Sequence, residues 1–179
     1  MIRIFVGVPL PETVREQLAG LCHGLPGARW VAPENLHVTL RFIGEVDEAE
    51  AEDIDAVLAT IRHPAFPLAL HGADCFGSGK KVRVVWAGVE QSEPLMHLYG
   101  KVESALVRLG LDPEGRKYKP HVTLARLRDT PRRHLGAFLA AAGSFRTEPF
   151  TVTGFTLYRS FLGRQGAHYE ALAEYPLDP

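Results

Sequence analysis

The tetrapeptide His-Val-Thr-Leu occurs twice in this 179-residue chain, beginning at His37 and at His121. Side chains alternate across a β-strand, so a strand would place the histidine and threonine of each copy on one face and the apolar residues on the other. Imidazole titrates near neutral pH, so one histidine can act as a base while the other acts as an acid. The hydroxyls of Thr39 and Thr123 can donate hydrogen bonds to an anion. If the two motifs face each other, they suit an in-line displacement at phosphorus, with fixed donors stabilising the charge on the phosphate oxygens.

The two motifs are part of a longer internal repeat. Three segments of the first half align in order, at a nearly constant separation, with three of the second: Ile2 with Val82, His37 with His121, and Phe66 with Phe150. Apolar periodicity gives each half the same order of strand, helix, strand, helix and strand. Two copies are too few for a solenoid. The repeat, approximately 2–76 and 82–160, therefore predicts one domain, 1–179, with two pseudo-symmetric lobes and a groove between them.

Several polar residues and prolines mark where the helices should begin and end. Asp47 is the expected N-cap of the second helix, and Thr130 followed by Pro131 is the expected start of the fourth. Gly24 and Pro26 are expected to end the first helix. These signals leave both histidine motifs on strands between helices.

A purely structural role is the first alternative for the motifs. A single His-Val-Thr-Leu is most often a half-buried strand whose histidine is satisfied by a hydrogen bond. A duplication would explain two similar strands, but it does not require polar side chains at matching inward positions. The repeat therefore favours a functional role.

Metal binding is the second alternative, and the sequence argues against it. The chain has no H-E-x-x-H motif, no acidic residue beside either histidine and no cysteine ligand pair. We therefore expect chemistry that needs no metal and no cofactor. The stretch Gly-Ser-Gly-Lys-Lys at 77–81 lacks the G-x-x-x-x-G-K-[ST] frame of a phosphate-binding loop, and predicts a hairpin turn.

Charge is unevenly distributed, although the formal net charge of −1 indicates no particular partner. Residues 114–133 hold seven basic and two acidic side chains and flank the second motif, which favours attraction of a phosphate. The seven acidic residues between 45 and 55 are instead typical of a solvated helix face. Arg126 belongs to the basic cluster and is a candidate phosphate ligand. Strict alternation from His121 would place it on the opposite face, unless the strand bulges or ends there.

The sequence shows neither a signal peptide nor an apolar stretch long enough to span a membrane. Cys22 and Cys75 form no disulfide framework and no zinc spacing. We therefore expect a cytoplasmic protein with reduced thiols. We also expect a monomer, and the sequence shows no evident protein partner.

The paired motifs and their surroundings resemble a known family. Two H-x-T-x motifs, one in each half of a chain of this length, are similar to those of the two-histidine phosphoesterase superfamily. More closely, the chain resembles the bacterial and archaeal RNA 2′,3′-cyclic phosphodiesterases, long called 2′-5′ RNA ligases. The resemblance covers nearly the whole chain, in the order RIFVGVPLP, NLHVTLRFIGEV, VVWAGV, KPHVTLARL and FTLYRS.

This resemblance implies an α+β fold of two lobes, each with an antiparallel sheet and flanking helices, and hydrolysis of 2′,3′-cyclic phosphate ends of RNA to 2′-phosphomonoesters. It assigns His37 as the proton donor to the leaving 3′ oxygen and His121 as the base that activates water. It assigns Thr39 and Thr123 to the phosphate. Phe42 is a candidate for contact with the nucleoside, although an aromatic residue there would also suit the core. The family also implies a reversible 2′-5′ ligation of RNA ends.

Two other functions stay open at this point. The same chemistry could act on a small nucleotide, such as a cyclic phosphate of the ADP-ribose type. Alternatively, the fold could serve as a non-catalytic module that binds RNA or a nucleotide, although both motifs are intact.

Overall fold

The computed structural model describes residues 1–77 and 82–179, so most of the predicted turn at 77–81 lies outside the described residues. In the described part the chain forms ten strands and four helices. In chain order they are β1 Ile2–Pro9, α1 Glu12–Ala19, β2 Ala28–Trp30, β3 His37–Val46, α2 Glu48–Leu58, β4 Phe66–Leu68, β5 Leu70–Phe76, β6 Val84–Val89, α3 Glu93–Leu109, β7 His121–Leu127, α4 Arg132–Ala142, β8 Phe150–Val152, β9 Gly154–Gly163 and β10 Gly166–Pro176.

Two four-stranded antiparallel sheets form the two lobes. Their strand orders are β10-β9-β1-β3 and β2-β7-β6-β5. The predicted α+β fold of two lobes is therefore confirmed. Each sheet takes strands from both halves of the chain, because β5 pairs with β6 and β9 pairs with β1. The two halves are thus interlocked by an exchange of their last long strands.

A short antiparallel ladder between β4 and β8 lies on a local two-fold axis that relates the two halves. Its antiparallel pairs are Phe66 with Val152, Pro67 with Thr151, and Leu68 with Phe150. In the internal repeat, the same offset in residue number relates His37 to His121 and Phe66 to Phe150. The two strands of this ladder are therefore equivalent segments of the two halves. The pseudo-two-fold axis therefore passes between Pro67 and Thr151.

The helix ends follow the sequence signals only in part. Asp47 caps α2 as predicted, because its carboxylate accepts a hydrogen bond of 2.8 Å from the Glu50 amide. The prediction that α1 continues toward Gly24 is wrong, since this helix ends at Ala19. The predicted cap of α4 is also wrong. Pro131 is the N-cap residue, and the Thr130 hydroxyl donates to the Pro26 carbonyl at 2.7 Å instead.

The apolar residues of both histidine motifs lie in one hydrophobic core. Val38, Leu40, Val122 and Leu124 are at most 2% exposed. The histidines and threonines beside them are only partly buried, as the alternation predicted. No helix among residues 1–77 and 82–179 is long and apolar enough to cross a membrane. Cys22 and Cys75 are free thiols.

Candidate active site

Both histidine strands contain a bulge directly after the threonine of the motif. On β3, Thr39 pairs with Gly7 and Arg41 with Val6, so one residue of β3 has no counterpart on β1. On β7, an equivalent shift separates the pairs formed by Thr123 and Ala125. A bulge adds one residue to a strand and so reverses the alternation that follows it. As a result, both residue 40 and residue 41 are buried, and so are residues 124 and 125.

The bulges turn Phe42 and Arg126 toward the same groove as the motifs. Both lie five residues after their histidine, and both line a cavity of about 420 Å³ together with His37, Thr39 and Thr123. Phe42 is 49% exposed, so it belongs to the groove and not to the core. Strict alternation along β7 would have placed Arg126 on the opposite face, and the bulge is the irregularity that brings it to the groove.

His121 does not line this cavity itself. It shares a face of β7 with Thr123, because the two residues are two positions apart and both precede the bulge. It also lies close enough to His37 for its charge to lower the pKa of that residue. The structure therefore brings all six residues singled out in the sequence to one region between the lobes.

Main-chain carbonyl groups hold both imidazole rings in the same way. Nδ1 of His37 lies 2.7 Å from the carbonyl oxygen of Asn35, and Nδ1 of His121 lies 2.7 Å from that of Lys119. A carbonyl oxygen only accepts hydrogen bonds, so each Nδ1 carries a proton. In the neutral ring Nε2 is then the basic nitrogen. Both histidines therefore have Nε2 available to take up or release a proton.

The two Nε2 atoms have different partners. That of His37 lies 2.8 Å from the hydroxyl oxygen of Thr39, whereas that of His121 has no hydrogen-bond partner within the described residues. Neutral His37 accepts this bond from Thr39, and the hydroxyl is then directed at the ring. Protonated His37 would donate at Nε2, which frees the hydroxyl to donate to a phosphate oxygen.

Aromatic side chains and a glycine enclose the ring of His37. Its centroid lies 4.9 Å from that of Phe5, 5.4 Å from Tyr169 and 5.8 Å from Tyr158. A Cβ atom on Gly7 would lie 3.1 Å from Cδ2 of His37, so a larger residue there would require the ring to shift. Burial lowers the pKa of His37 below its usual value of 6.5, and the charge of His121 acts in the same direction, against the hydrogen bond to Asn35.

Aromatic side chains also enclose the ring of His121. Its ring centroid lies 4.9 Å from Phe76 and 5.6 Å from Trp86. The ammonium group of Lys119 lies 5.0 Å from the Trp86 ring centroid, within the range of a cation–π contact. Burial lowers the pKa of His121, opposed by the hydrogen bond to the Lys119 carbonyl and aided by the Lys119 charge. Both histidines therefore favour the neutral state in the free protein.

The sequence arguments missed several residues that hold the site together. Asn35 and Lys119 stand two positions before their histidines, but their contribution is a main-chain carbonyl group, which no residue type signals. Asn35 also donates from its side chain to the Ala167 carbonyl at 2.7 Å, which joins the first motif to β10. Gly7 could have been noticed as a glycine inside an apolar strand, which often marks a close approach.

Among the described residues, no group of three or more His, Cys, Asp or Glu side chains is arranged to hold a metal ion. The chemistry that the site offers comes from imidazole, hydroxyl and guanidinium groups.

A two-lobed α+β fold with paired histidines and threonines in its groove defines a phosphoesterase-like acid–base site. Residues 9–163 match the family model described as the 2′-5′ RNA ligase superfamily, so the chain belongs to this superfamily. The resemblance inferred from the motifs is therefore confirmed.

Curated relatives agree with this assignment. The RNA 2′,3′-cyclic phosphodiesterase of Aeropyrum pernix is 39% identical over 155 residues, which are 84% of this chain and 86% of the relative. The protein of the same name from Escherichia coli K12 is 35% identical, over 98% of this chain and 96% of the relative.

Solved structures share the fold over nearly the whole chain. Escherichia coli LigT in complex with 3′-AMP has a TM-score of 0.80 and 32% identity, with 99% of both chains covered. The protein TT0787 of Thermus thermophilus has a TM-score of 0.81 and 28% identity, with 97% of both chains covered.

Proposed function

We propose that this protein is an RNA 2′,3′-cyclic phosphodiesterase, which hydrolyses the cyclic phosphate at an RNA end to a 2′-phosphomonoester without a metal ion. The observation that carries the proposal is the matched setting of His37 and His121. Each has a protonated Nδ1 on a carbonyl oxygen, an Nε2 available for proton transfer and a threonine on the same strand face. The names of the relatives support the substrate class.

The proposed reaction uses one histidine on each side of phosphorus. Nε2 of neutral His121 removes a proton from water as the water oxygen attacks phosphorus. The bond from phosphorus to the 3′ oxygen breaks, and the proton on Nε2 of His37 passes to that oxygen. Each positioned acid or base contributes roughly 10²- to 10⁴-fold to such a reaction. The next cycle begins after His37 regains a proton and His121 loses one.

Thr39 and Thr123 are proposed to bind the non-bridging phosphate oxygens. Their hydroxyls are short and are held on the strands next to the histidines, so they need little reorganisation when charge develops on phosphorus. Arg126 adds positive charge to the same groove, and Phe42 offers an aromatic surface for the nucleoside. We propose that this groove belongs to a single bilobal domain, 1–179.

Ligation is a second activity that this site would permit. If the 5′ hydroxyl of another RNA replaces water, the same acid and base produce a 2′-5′ bond, and the reverse reaction cleaves it. The description of the superfamily supports this activity. A monomeric state and a cytoplasmic location remain predictions.

The test is an assay on a defined oligoribonucleotide that ends in a 2′,3′-cyclic phosphate. Turnover should be unaffected by EDTA, and the same oligonucleotide with an open 3′-phosphate serves as the control. Binding of the cyclic substrate without turnover would support a non-catalytic module instead. Loss of turnover in EDTA, with recovery on addition of zinc or magnesium, would exclude the two-histidine mechanism.

A further inference from the structure

Two arginines lie directly opposite each other at the groove. Arg29 on β2 pairs with Arg126 on β7, and both side chains are exposed and line the cavity. Directly paired residues in an antiparallel ladder have Cβ atoms about 5 Å apart, and like charges in such a pair repel each other. This pair therefore destabilises the free protein unless an anion lies between the two guanidinium groups.

No carboxylate in the described part of the chain neutralises this pair. The ion pairs of arginine among residues 1–77 and 82–179 involve only Arg41, Arg62 and Arg116. The four residues from 78 to 81 contain no Asp or Glu. A guanidinium presents a planar set of donors that matches phosphate oxygens in bidentate geometry. Two such groups on neighbouring strands have the donors needed to bind one phosphate.

Other arginine charge converges on the same groove. Arg3 lies on β1 of the other sheet, and its guanidinium lies 5.0 Å from the ring centroid of Phe42. Burial raises the pKa of Tyr169, and the charges of Arg126 and Arg3 both oppose this rise. The groove therefore carries more positive charge than one cyclic phosphate, a monoanion, would neutralise.

The distance along the strand fits a second phosphate of the substrate. Arg126 pairs with Val84 and Thr123 with Trp86, so the two groove residues are two steps apart on β6. Two steps correspond to about 7 Å. This is comparable to the spacing of successive phosphates in an RNA strand. An exposed aromatic residue beside basic side chains is also typical of grooves that bind single-stranded nucleic acid.

We propose that Arg29 and Arg126 form a subsite for the phosphodiester that joins the terminal nucleotide to the rest of the RNA. The inference rests on the proposed function and names its substrate class: an oligonucleotide end, not a free mononucleotide. Arg29 is then a specificity-determining residue, because its charge is used only when this second phosphate is present.

The test compares two substrates with the same terminal base. One is the mononucleoside 2′,3′-cyclic phosphate with a free 5′ hydroxyl, and the other is the dinucleotide that ends in the same cyclic phosphate. We expect the dinucleotide to have a kcat/KM at least about ten times higher. Arg29→Gln should reduce this ratio by roughly ten-fold, through KM, because a hydrogen-bonded charge pair is lost. Arg62→Gln is the matched control, since it removes the same charge outside the groove and should leave the ratio unchanged.

Further measurements separate binding from structure. Arg29→Gln should unfold at the same temperature as the wild type or at a higher one, because like-charge repulsion is relieved. Arg29→Lys should restore part of the ratio, since charge returns without the planar donors. A ratio unaffected by Arg29→Gln, or a variant that loses stability without any change in the ratio, overturns the subsite.

The source of the second phosphate is tested with a third substrate. A cyclic phosphate of ADP-ribose also carries phosphates near the reacting group, so a kcat/KM above that of the dinucleotide would overturn the RNA assignment. Absence of turnover of every cyclic phosphate by the wild type would instead refute the proposed function. Failure of the subsite alone would leave wild-type turnover intact.

Discussion

The phenol of Tyr118 donates a hydrogen bond of 2.8 Å to the main-chain carbonyl oxygen of Thr39. The loop that leads to His121 is thereby attached to the strand that carries His37. The Tyr118 ring also stacks on Tyr99, with 4.0 Å between the centroids and 10° between the planes. Burial raises the pKa of Tyr118, so its hydroxyl keeps its proton and remains a donor.

This loop, residues 111–120, forms neither helix nor strand and depends on side-chain contacts for its position. Arg41 is nearly buried and forms an ion pair of 3.5 Å with Glu103 on α3. The other carboxylate oxygen of Glu103 accepts a hydrogen bond of 3.3 Å from the Glu114 amide. These contacts hold the beginning of the loop, and Tyr118 holds its end, immediately before the carbonyl group that orients His121.

The first prediction concerns Tyr118→Phe, which keeps the stacked ring and removes only the hydroxyl. We expect kcat to decrease about ten-fold with a smaller change in KM, because the base is less well oriented. The free energy of unfolding should decrease by about 1 kcal/mol, the usual contribution of one hydrogen bond. Tyr99→Phe is the control, since it loses a bond to Glu103 but none to β3. A reduced unfolding temperature with wild-type kcat would mean that Tyr118 has only a structural role.

The second prediction concerns the histidines themselves. His37→Ala and His121→Ala should each reduce kcat by roughly 10²- to 10⁴-fold, the usual contribution of a positioned acid or base. Since the two residues act together, the double variant should lose much less than the product of the two losses. His97→Ala, on the exposed side of α3, is the control. A single variant with near wild-type kcat would contradict the assignment.

The third prediction concerns pH. In the proposed mechanism the active form has His37 protonated and His121 neutral, and burial lowers the pKa of both residues below 6.5. Above that pH both rings are neutral and the acid is lost, whereas at low pH both are charged and the base is lost. The pH profile of kcat/KM should therefore be bell-shaped with its maximum below 6.5.

The bound substrate changes this profile in a predictable direction. A phosphate anion beside His37 favours the charged imidazole and raises its pKa. The maximum of kcat, which reports the enzyme–substrate complex, should therefore lie at higher pH than that of kcat/KM. Steady-state kinetics across pH 4–9 would measure both. A kcat/KM maximum above pH 7.5 would be incompatible with these two groups as the acid and the base.

The sequence predicted the two-lobed architecture and the shared groove of the two motifs, because both depend on side-chain types at regular spacing. Two polar residues at alternate positions, with apolar residues between them, allow only one orientation in a half-buried strand. The repetition of that pattern in the second half of the chain supplied the symmetry. The exchange of β5 and β9 between the sheets was not predictable, because either pairing would bury the same apolar residues.

Bulges limited what could be said about the ends of the motifs. Arg126 could be placed in the groove only if β7 was irregular, and nothing in Leu-Ala-Arg marks an inserted residue. The predicted start of α4 was wrong for a related reason. Thr130 has the side chain of an N-cap residue, but its hydroxyl is used by the Pro26 carbonyl of a loop far away in the sequence. Long-range partners of this kind override local preference.

The fourth prediction concerns Gly7, which lies beneath the ring of His37. In Gly7→Ala, the new methyl group would lie 3.1 Å from Cδ2 of His37, closer than carbon atoms normally approach. We expect the ring to shift by a few tenths of an ångström and kcat to decrease by about two- to ten-fold. Gly100→Ala on α3 is the matched control, because nothing lies within 4 Å of its new methyl group. It should keep full activity and gain about 1 kcal/mol from better helix propensity.

The last prediction concerns which bond of the cyclic phosphate breaks. In-line displacement requires water and the leaving oxygen on opposite sides of phosphorus, so each histidine can serve only one side. A 2′,3′-cyclic phosphate offers two leaving oxygens, and the acid must lie within hydrogen-bond reach of the one that leaves. The family resemblance assigns His37 to the 3′ oxygen, so the product should carry a 2′-phosphate and a free 3′ hydroxyl. Phosphorus NMR or chromatography against both monophosphate standards would identify it, and a 3′-phosphate as the main product would require the roles of His37 and His121 to be exchanged.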